Sequence, residues 1–188
     1  MREDTPRISI ADADDRILAG RAADGDVAAF TILVRRHTPR LRAATRLITR
    51  STLEVDDIVQ ESFVTAWQRL PDLEDPGKVQ PWLMRIVTRN AISRVRASRP
   101  CQDIDDLYST ASGDTSPDRV VENTAQMAAL RETLDGLPSL QRDCWVLREI
   151  GGYHYDEIAE QLGTSVSTVR GALARARRFI IVRMEAWR

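Results

Sequence analysis

Lysine and cysteine are scarce in this sequence, and long apolar runs are absent. Lys78 is the only lysine among 27 basic residues, and Cys101 and Cys144 are the only cysteines. The cysteines lie far apart, without a CxxC pair or clustered histidines, which argues against a zinc site and against a disulfide scaffold. No stretch approaches the apolar length of a membrane span, and the polar N-terminus is unlike a signal peptide. We therefore expect a cytoplasmic protein with reduced thiols and no direct membrane insertion.

Residues arranged for catalysis or for holding a cofactor are also lacking. The sequence contains no Gly-rich phosphate loop, no recognisable nucleophile group and no convincing pair of carboxylates. His37 and His154 have no neighbours that suggest catalysis, and we expect a helix-surface histidine and a turn residue. Asp56, Asp57 and Glu61 share one helical face, which supplies too few ligands for a metal ion. The sequence therefore predicts a protein that is not an enzyme and that holds no metal and no cofactor.

The charges that are present are segregated along the chain. The formal net charge is −1, although 29% of the residues are charged. Residues 35–50 carry six arginines and no acid, and residues 85–99 carry five arginines and no acid. Acidic residues gather instead in 54–75 and in 101–122. Segregation of this kind favours separate anionic and cationic partners.

Hydrophobic periodicity predicts an all-α protein. Apolar residues recur at helical spacing from residue 14 to about residue 97 and again beyond residue 119, and no alternating strand pattern is convincing. We expect Pro39 to kink or interrupt the first long pattern. Pro, Ser, Gly and many acids between the two stretches indicate a mobile linker. The prediction is two small helical domains joined by a flexible linker, with a disordered lead at 1–13, a first domain at 14–98, an acidic linker at 99–118 and a second domain at 119–188.

The second domain contains the most informative segment, residues 155–178. Two short helices are predicted around a tight turn, with Gly163 ending the first at positive φ and Ser165 capping the second. The inner stripe of the second helix consists of Val169, Leu173 and Ala176. Its outer face carries Ser167, Thr168, Arg170, Arg175, Arg177 and Arg178. This layout is typical of a helix-turn-helix whose second helix enters the DNA major groove. The alternative is a solvated helical hairpin.

The first domain places an acidic helix and a basic helix on either side of a loop. In residues 56–70, one helical face collects Asp57, Gln60, Glu61 and Val64, and the opposite, buried stripe collects Val59, Phe63, Trp67 and Leu70. The loop at 71–81 contains three prolines, and an arginine-rich helix follows at 82–96. Such a loop can hold a base unstacked from duplex DNA while the arginines follow the phosphates. The alternatives are a solvated acidic face and, for Trp82, packing in the core.

Three segments match the helices of one bacterial family in order. Residues 56–70, DDIVQESFVTAWQRL, resemble a family helix usually of the form DLVQETFLRAW. Residues 80–96, QPWLMRIVTRNAISRVR, are similar to the helix that follows it, usually WLYRIARNRAIDRLR. Residues 134–178 resemble the C-terminal domain of the same family throughout. The family is the extracytoplasmic-function group of RNA polymerase sigma factors, and the resemblance covers roughly 28–97 and 129–179. It implies two promoter-reading domains without a middle domain.

The resemblance also implies a surface for each partner. The acidic helix docks on a coiled coil of the β′ subunit of core RNA polymerase through Asp57, Gln60, Glu61, Val64 and Gln68. The loop and the basic helix take the flipped base and the opened strand of the minus-ten promoter DNA through Lys78, Trp82, Arg85, Arg89 and Asn90. The recognition helix reads the minus-thirty-five element through Ser165, Ser167, Thr168, Arg170, Gly171, Arg175 and Arg177. Contact with the β subunit and control by an anti-sigma factor that clamps both domains are further implications.

The chain departs from the family pattern at four positions. Arg89 stands where the family commonly has Asn, Ser93 where it has Asp, and Gly171–Ala172 where it often has Ser-Arg. Glycine inside a helix costs up to about 1 kcal/mol, although it can also let the backbone approach the DNA closely. These departures leave the preferred bases of both promoter elements open.

Two other classes of function compete with this interpretation. A helix-turn-helix regulator that binds duplex DNA without polymerase has no need of the helices and loop at 56–96. A helical module that only binds a protein partner leaves the arginine-faced recognition helix unexplained. Whether the two domains pack together in the free protein stays open at this stage. The opposite charges of the 54–75 face and the recognition helix would allow a packed, autoinhibited arrangement.

Overall fold

The computed structural model describes residues 10–49, 53–97 and 124–185, with side chains given from residue 128 onward in the last range. Within these ranges every regular element is helical, which confirms the all-α prediction. The helices are α1 Asp15–Ala23, α2 Val27–Thr49, α3 Val55–Arg69, α4 Val79–Ala97, α5 Thr124–Asp135, α6 Ser139–Trp145, α7 Tyr155–Leu162 and α8 Val166–Met184. One helical region precedes the predicted linker and one follows it, and the linker itself, 99–118, lies outside the described residues.

The chain is ordered before α1, in contrast to the disordered lead predicted up to residue 13. A 3-10 turn covers Ile10–Asp12. The Arg36 guanidinium donates hydrogen bonds to the carbonyl oxygens of Ala11 and Ala13 at 3.0 and 3.1 Å, and it contacts the Asp15 carboxylate at 2.6 Å. Arg36 therefore holds this turn against α2. The remainder of the predicted lead, residues 1–9, lies outside the described residues.

His37 is buried, and the expectation of a helix-surface histidine is wrong. His37 is only 5% exposed, and its Nε2 atom lies 2.9 Å from Oδ2 of Asp15 on α1. Leu33 and Leu41, four residues to either side, are both buried. The spacing of four places all three side chains on the inner face of α2, where α1 packs.

Helix α2 runs through Pro39, so the predicted interruption does not occur. Proline has no N–H to donate to the carbonyl of Arg35, one helical turn earlier. Both residues are exposed, and water can satisfy that carbonyl. The buried stripe on the opposite side, including Leu33 and Leu41, continues on either side of the proline and keeps the helix in place.

The segment between α3 and α4 forms two 3-10 turns, Leu70–Asp72 and Pro76–Lys78. The Asp75 carboxylate accepts a hydrogen bond from the Gly77 N–H at 3.0 Å and so caps the second turn. Helix α4 then begins at Val79, before the predicted start at residue 82. Pro81 is compatible with this start because the N–H groups of the first helical turn have no intrahelical partner.

The helix-turn-helix forms as the sequence predicted. Gly163 ends α7 with a φ of 63°, and the Ser165 side chain accepts a hydrogen bond from the Thr168 N–H at 3.1 Å to cap α8. Side chains of the predicted inner stripe are buried, and so is Ala172. Upstream, α6 continues directly into a single π-helical turn, Val146–Ile150. This turn leads to α7 and lies against α4 of the first region.

The two helical regions share their apolar core. One cluster of buried side chains extends from Leu18 in α1 through α4 to the π-helical turn and to Leu173 in α8. Leu47 of α2 joins a second cluster with residues of the other region, namely Leu134, Leu137 and Ala176. The regions are therefore packed together. The acidic 54–75 face does not supply the attraction envisaged for it, because Asp56 and Glu61 pair with Arg42 and Arg94 of their own region.

Candidate functional surfaces

The five side chains assigned to polymerase binding lie in an exposed row on α3: Asp57, Gln60, Glu61, Val64 and Gln68. Val64 is 53% exposed, although its side chain is apolar. The opposite face of α3 buries Val59 and Phe63 as the periodicity predicted, and Trp67 of that stripe is half-buried. The Glu61 carboxylate accepts a hydrogen bond from Arg94 of α4 at 2.9 Å. The row is thus a polar surface with an apolar side chain in its middle.

An apolar groove of about 500 Å³ opens beside this row, between α2 and α3. Its apolar lining consists of Phe30, Val34, Val59, Phe63, Val64 and Trp67, and its polar lining consists of Thr38, Arg42, Asp56, Gln60 and Gln68. The Phe30 ring lies 4.9 Å from the Trp67 ring and meets the Phe63 ring edge-on at 6.3 Å, both measured between centroids. The groove therefore combines aromatic surface with exposed amides.

Sequence reasoning missed this groove. The available signal was the i, i+4 row of Phe30, Val34 and Thr38 on α2. All three side chains are only half-buried. A local pattern cannot show that such a row faces a second helix 30 residues later in the chain rather than the interior.

The side chains assigned to the minus-ten element do not form a single free surface. Lys78 and Arg89 are exposed, and Lys78 lies 3.7 Å from the Asp75 carboxylate. Trp82 is half-buried and packs against the core cluster, as the alternative interpretation of this residue predicted. The Asn90 amide donates a hydrogen bond to the Ser62 hydroxyl at 3.1 Å, which links α4 to α3.

Arg85 is held by the second helical region. Its guanidinium forms an ion pair with the Glu157 carboxylate on α7 at 2.5 Å, and it lies over the Tyr153 ring, 4.2 Å from the centroid. The Tyr153 hydroxyl donates a hydrogen bond to the carbonyl oxygen of Arg85 at 2.9 Å. Burial raises the pKa of this hydroxyl, although the charges of Arg85 and Arg89 oppose the shift. Sequence reasoning placed Arg85 on DNA and did not identify these contacts.

The carboxylate of Glu157 stays charged at this position. Desolvation acts to raise its pKa, but the Arg85 guanidinium and the His154 N–H lower it, and the net pKa lies below the ordinary value. The His154 N–H donates to Oε2 of Glu157 at 2.7 Å. Glu157 therefore has two tasks, because one oxygen caps α7 and the other binds α4.

The N-terminal members of the set assigned to the minus-thirty-five element lie together at the start of α8. The Ser165 hydroxyl contacts the hydroxyls of Ser167 and Thr168, each at 2.8 Å, and Arg170 follows on the exposed side of the next turn. Gly171 lies beside Arg175, because a Cβ built on it would come within 3.3 Å of a guanidinium nitrogen. Hydroxyl donors and an arginine at a helix N-terminus suit contacts to phosphates and base edges.

Arg177 does not belong to this cluster and binds Glu149 within its own region. It donates to Oε1 of Glu149 at 2.7 and 3.1 Å, and this hydrogen bond raises its pKa. The structure thus brings together the N-terminal members of the predicted set, while Arg177 already has an acidic partner.

Comparison with known proteins decides the family. The family model described as Sigma-70 region 2 matches residues 33–101, and the one described as Sigma-70, region 4 matches residues 127–180. The RNA polymerase sigma factor NccH of Alcaligenes xylosoxydans xylosoxydans is 36% identical, with 87% of this chain and 90% of NccH covered. The ECF RNA polymerase sigma factor SigM of Mycobacterium tuberculosis is 32% identical over 88% of this chain and 81% of SigM. The chain belongs to the extracytoplasmic-function sigma factors.

A solved structure agrees with this assignment. CnrH in complex with the cytosolic domain of CnrY is 33% identical to this sigma factor, with a TM-score of 0.55 over 92% of this chain and 97% of CnrH. The predicted family and its role in promoter-directed transcription initiation are confirmed, and the regulator that works without polymerase is not supported. Among the helices in the described ranges, none has both the length and the apolarity needed to cross a membrane.

Proposed function

We propose that this sigma factor docks on the β′ coiled coil of core RNA polymerase through the α3 row together with the α2–α3 groove. The observation that carries the proposal is the exposed Val64 and its neighbouring amides Gln60 and Gln68 at the edge of an aromatic groove. An interface needs an apolar centre that loses its water and a polar rim that fixes the register. The groove provides the apolar centre, and Asp57 and Glu61 provide the polar rim.

Promoter reading is divided between the two regions in this proposal. The residues of 14–98 take the minus-ten element, and the residues of 119–188 take the minus-thirty-five element with the start of α8. Unstacking a base costs a few kcal/mol, while stacking returns about 1–3 kcal/mol per base, so neither region binds promoter DNA tightly alone. Attachment of both to polymerase makes the second contact intramolecular, with an effective concentration on the order of millimolar for a short linker.

The same proposal covers regulation and location. The relative CnrH is bound to a domain of a second protein, CnrY, that is described as cytosolic. We extend this to an anti-sigma factor that binds the present chain in the cytoplasm and covers its polymerase-binding surface. Contact with the β subunit belongs to the same hypothesis. The protein acts as a specificity subunit rather than as an enzyme.

The test compares the binding of core RNA polymerase to the wild type and to the double variant Asp57→Arg/Glu61→Arg. Reversing both charges at the rim should weaken binding at least about tenfold, which corresponds to about 1.4 kcal/mol. Loss of the Glu61–Arg94 ion pair should cost little stability, because its side chains are 58% and 42% exposed. Binding is measured by pull-down and by titration of a labelled sigma factor with core enzyme.

The matched control is Asp72→Arg/Glu74→Arg, which makes the same change in charge at two exposed positions outside the row. It should bind core polymerase like the wild type. If both double variants lose binding equally, the α3 row has no special part in docking. If the wild type ignores core polymerase and shifts duplex DNA unaided, the proposed docking is wrong altogether.

A further inference from the structure

Besides the shared apolar core, polar contacts of one arginine, Arg85 of α4, join the two helical regions. Its side chain is bound by Glu157 and stacked on Tyr153, and its backbone carbonyl accepts the Tyr153 hydroxyl. Both the side chain and the main chain of this residue are therefore engaged by the segment 153–157. We call the contacts made by Tyr153 and Glu157 to Arg85 the clasp.

A second arginine of α4 extends the contact along α7. Arg96 donates hydrogen bonds to the carbonyl oxygens of Gln161 and Leu162, at 3.1 and 3.4 Å. These carbonyls belong to the last turn of α7, where the orphan acceptors and the negative end of the helix dipole favour a cation. Helix α4 thus meets α7 with Arg85 at the start of α7 and Arg96 at its end.

Tyr153 is fixed in place by its own region. Its N–H donates to the carbonyl of Leu147 at 3.0 Å, and Arg148 donates to the carbonyl of Tyr153 at 2.7 Å. Gly151 leaves room for the ring, because a Cβ there would lie 2.8 Å from a ring carbon. The residue is only 7% exposed. The ring is therefore held ready to receive Arg85 and does not have to be ordered when the regions meet.

The clasp and a DNA strand compete for the same guanidinium. Arg85 and Arg89 lie four residues apart on α4, so they share one helical face on which a strand can follow both. Arg89 is exposed, whereas Arg85 already binds a carboxylate, the group that most resembles a phosphate oxygen. In contrast, the α2–α3 groove and the exposed side chains at the start of α8, including Ser167 and Arg170, are open.

We propose that the clasp closes the free sigma factor, so that Glu157 and Tyr153 occupy the minus-ten strand site at Arg85 while the polymerase-docking groove stays accessible. The strand site rests on the proposed function. Polymerase docking then comes first, and capture of the opened strand requires the second region to leave α4. The protein cannot bind a single strand at full strength until it has been pulled open, which prevents free sigma factor from occupying single-stranded DNA elsewhere.

The experiment uses the double variant Tyr153→Phe/Glu157→Gln. Phenylalanine keeps the buried ring, and glutamine keeps an acceptor for the His154 N–H, so the fold should survive while the contacts to Arg85 weaken. The matched control is Tyr155→Phe/Glu160→Gln, which makes the same chemical changes at two neighbouring positions on α7. Circular dichroism checks that all variants are folded. Replacing one ion pair and one hydrogen bond should shift the closing equilibrium by about tenfold.

Opening is measured by energy transfer between dyes on cysteines introduced at Arg69 and Glu132, both exposed, in a Cys101→Ser background. Binding is measured by fluorescence anisotropy of a pool of random 12-nucleotide DNA single strands. We expect lower transfer efficiency in the double variant and single-strand affinity up to about tenfold tighter, because affinity scales with the open fraction. The control variant should match the wild type in both assays.

The outcomes separate the clasp from the strand site. Unchanged energy transfer in the double variant would overturn the clasp. Lower transfer without tighter binding of the single strands would overturn the claim that the clasp blocks the strand site. Adding Arg85→Ala/Arg89→Ala to the opened variant should abolish the gain in affinity. If these arginines prove irrelevant to the single strands, the proposed minus-ten site fails, whereas the energy transfer still reports the clasp. Core polymerase should still dock on the closed wild type, and it should bind the opened variant more tightly, by up to about tenfold, because it can separate the regions only if it prefers the open form.

Discussion

Two glycines of the second region should respond in opposite directions to the same substitution. In Gly151→Ala, the new Cβ would lie 2.8 Å from the Tyr153 ring and 2.9 Å from the carbonyl oxygen of Leu147. The φ of Gly151 is −82°, which alanine adopts without strain, so the expected loss is steric. In Gly171→Ala, the new Cβ meets only the flexible end of Arg175, at 3.3 Å. Only the first substitution therefore crowds a fixed backbone and a buried ring.

The magnitudes follow from overpacking and from helix propensity. Forcing a methyl group into a filled site costs about 1–3 kcal/mol, whereas replacing glycine by alanine inside a helix gains up to about 1 kcal/mol. For a chain of this size, 1 kcal/mol shifts the midpoint of thermal unfolding by roughly 2–4 °C. We expect Gly151→Ala to lower the midpoint by about 2–12 °C and Gly171→Ala to raise it by up to about 4 °C, both followed by circular dichroism. A Gly151→Ala protein that melts at or above the wild-type temperature would refute the packing of Tyr153 described above.

Two further predictions concern specificity and pH. Arg170→Ala should relax the preference for one base of the minus-thirty-five element by about 1–3 kcal/mol, whereas Arg178→Ala should weaken the binding of all duplexes alike. Selection from randomised duplexes by the holoenzyme measures both effects. Equal relaxation of the preference by both variants would contradict base reading by Arg170. Burial raises the pKa of the Cys144 thiol from 9.0 to about 11, so the native state favours the neutral thiol. The free energy of unfolding should therefore hold steady below pH 9 and fall between pH 9 and 11 as the unfolded chain ionises. Cys144→Ala should lose less stability over this range, with the remaining loss coming from the buried Tyr153 hydroxyl, whose pKa is also raised. Rapid alkylation of Cys144 in the native protein would contradict the prediction.

Local patterns in the sequence predicted the main helices of the fold and which face of α3 and of α8 is buried. The period of α3 separated the exposed row around Gln60 from the buried stripe around Phe63, and both were found as expected. Gly163 and Ser165 marked the turn of the helix-turn-helix, because glycine readily adopts the positive φ that ends one helix and a serine side chain accepts a hydrogen bond from a free N–H at the start of the next. Features of this kind depend on neighbours within a few residues, which a single sequence contains in full.

Features that depend on distant partners could not be predicted. Arg85 and Glu157 are separated by 72 residues, and each alone resembles a solvated charge. The α2–α3 groove needs Phe30 and Trp67 to meet, and burial of His37 depends on α1 crossing α2. The charge argument for packing failed because it compared the net charge of whole segments. Asp56 and Glu61 of α3 are already paired within their own region, and the polar joining contacts at Arg85 and Arg96 use α4 instead.

The shared apolar core has a thermal consequence. Side chains from α1 to α8 belong to one continuous cluster, so separating the two regions exposes apolar surface to water. Apolar hydration increases the heat capacity, and the free energy gained by burying such surface becomes smaller on cooling. The apolar contribution to closing should therefore weaken on cooling. A sigma factor built in this way would reach its DNA-binding form more readily as the temperature drops.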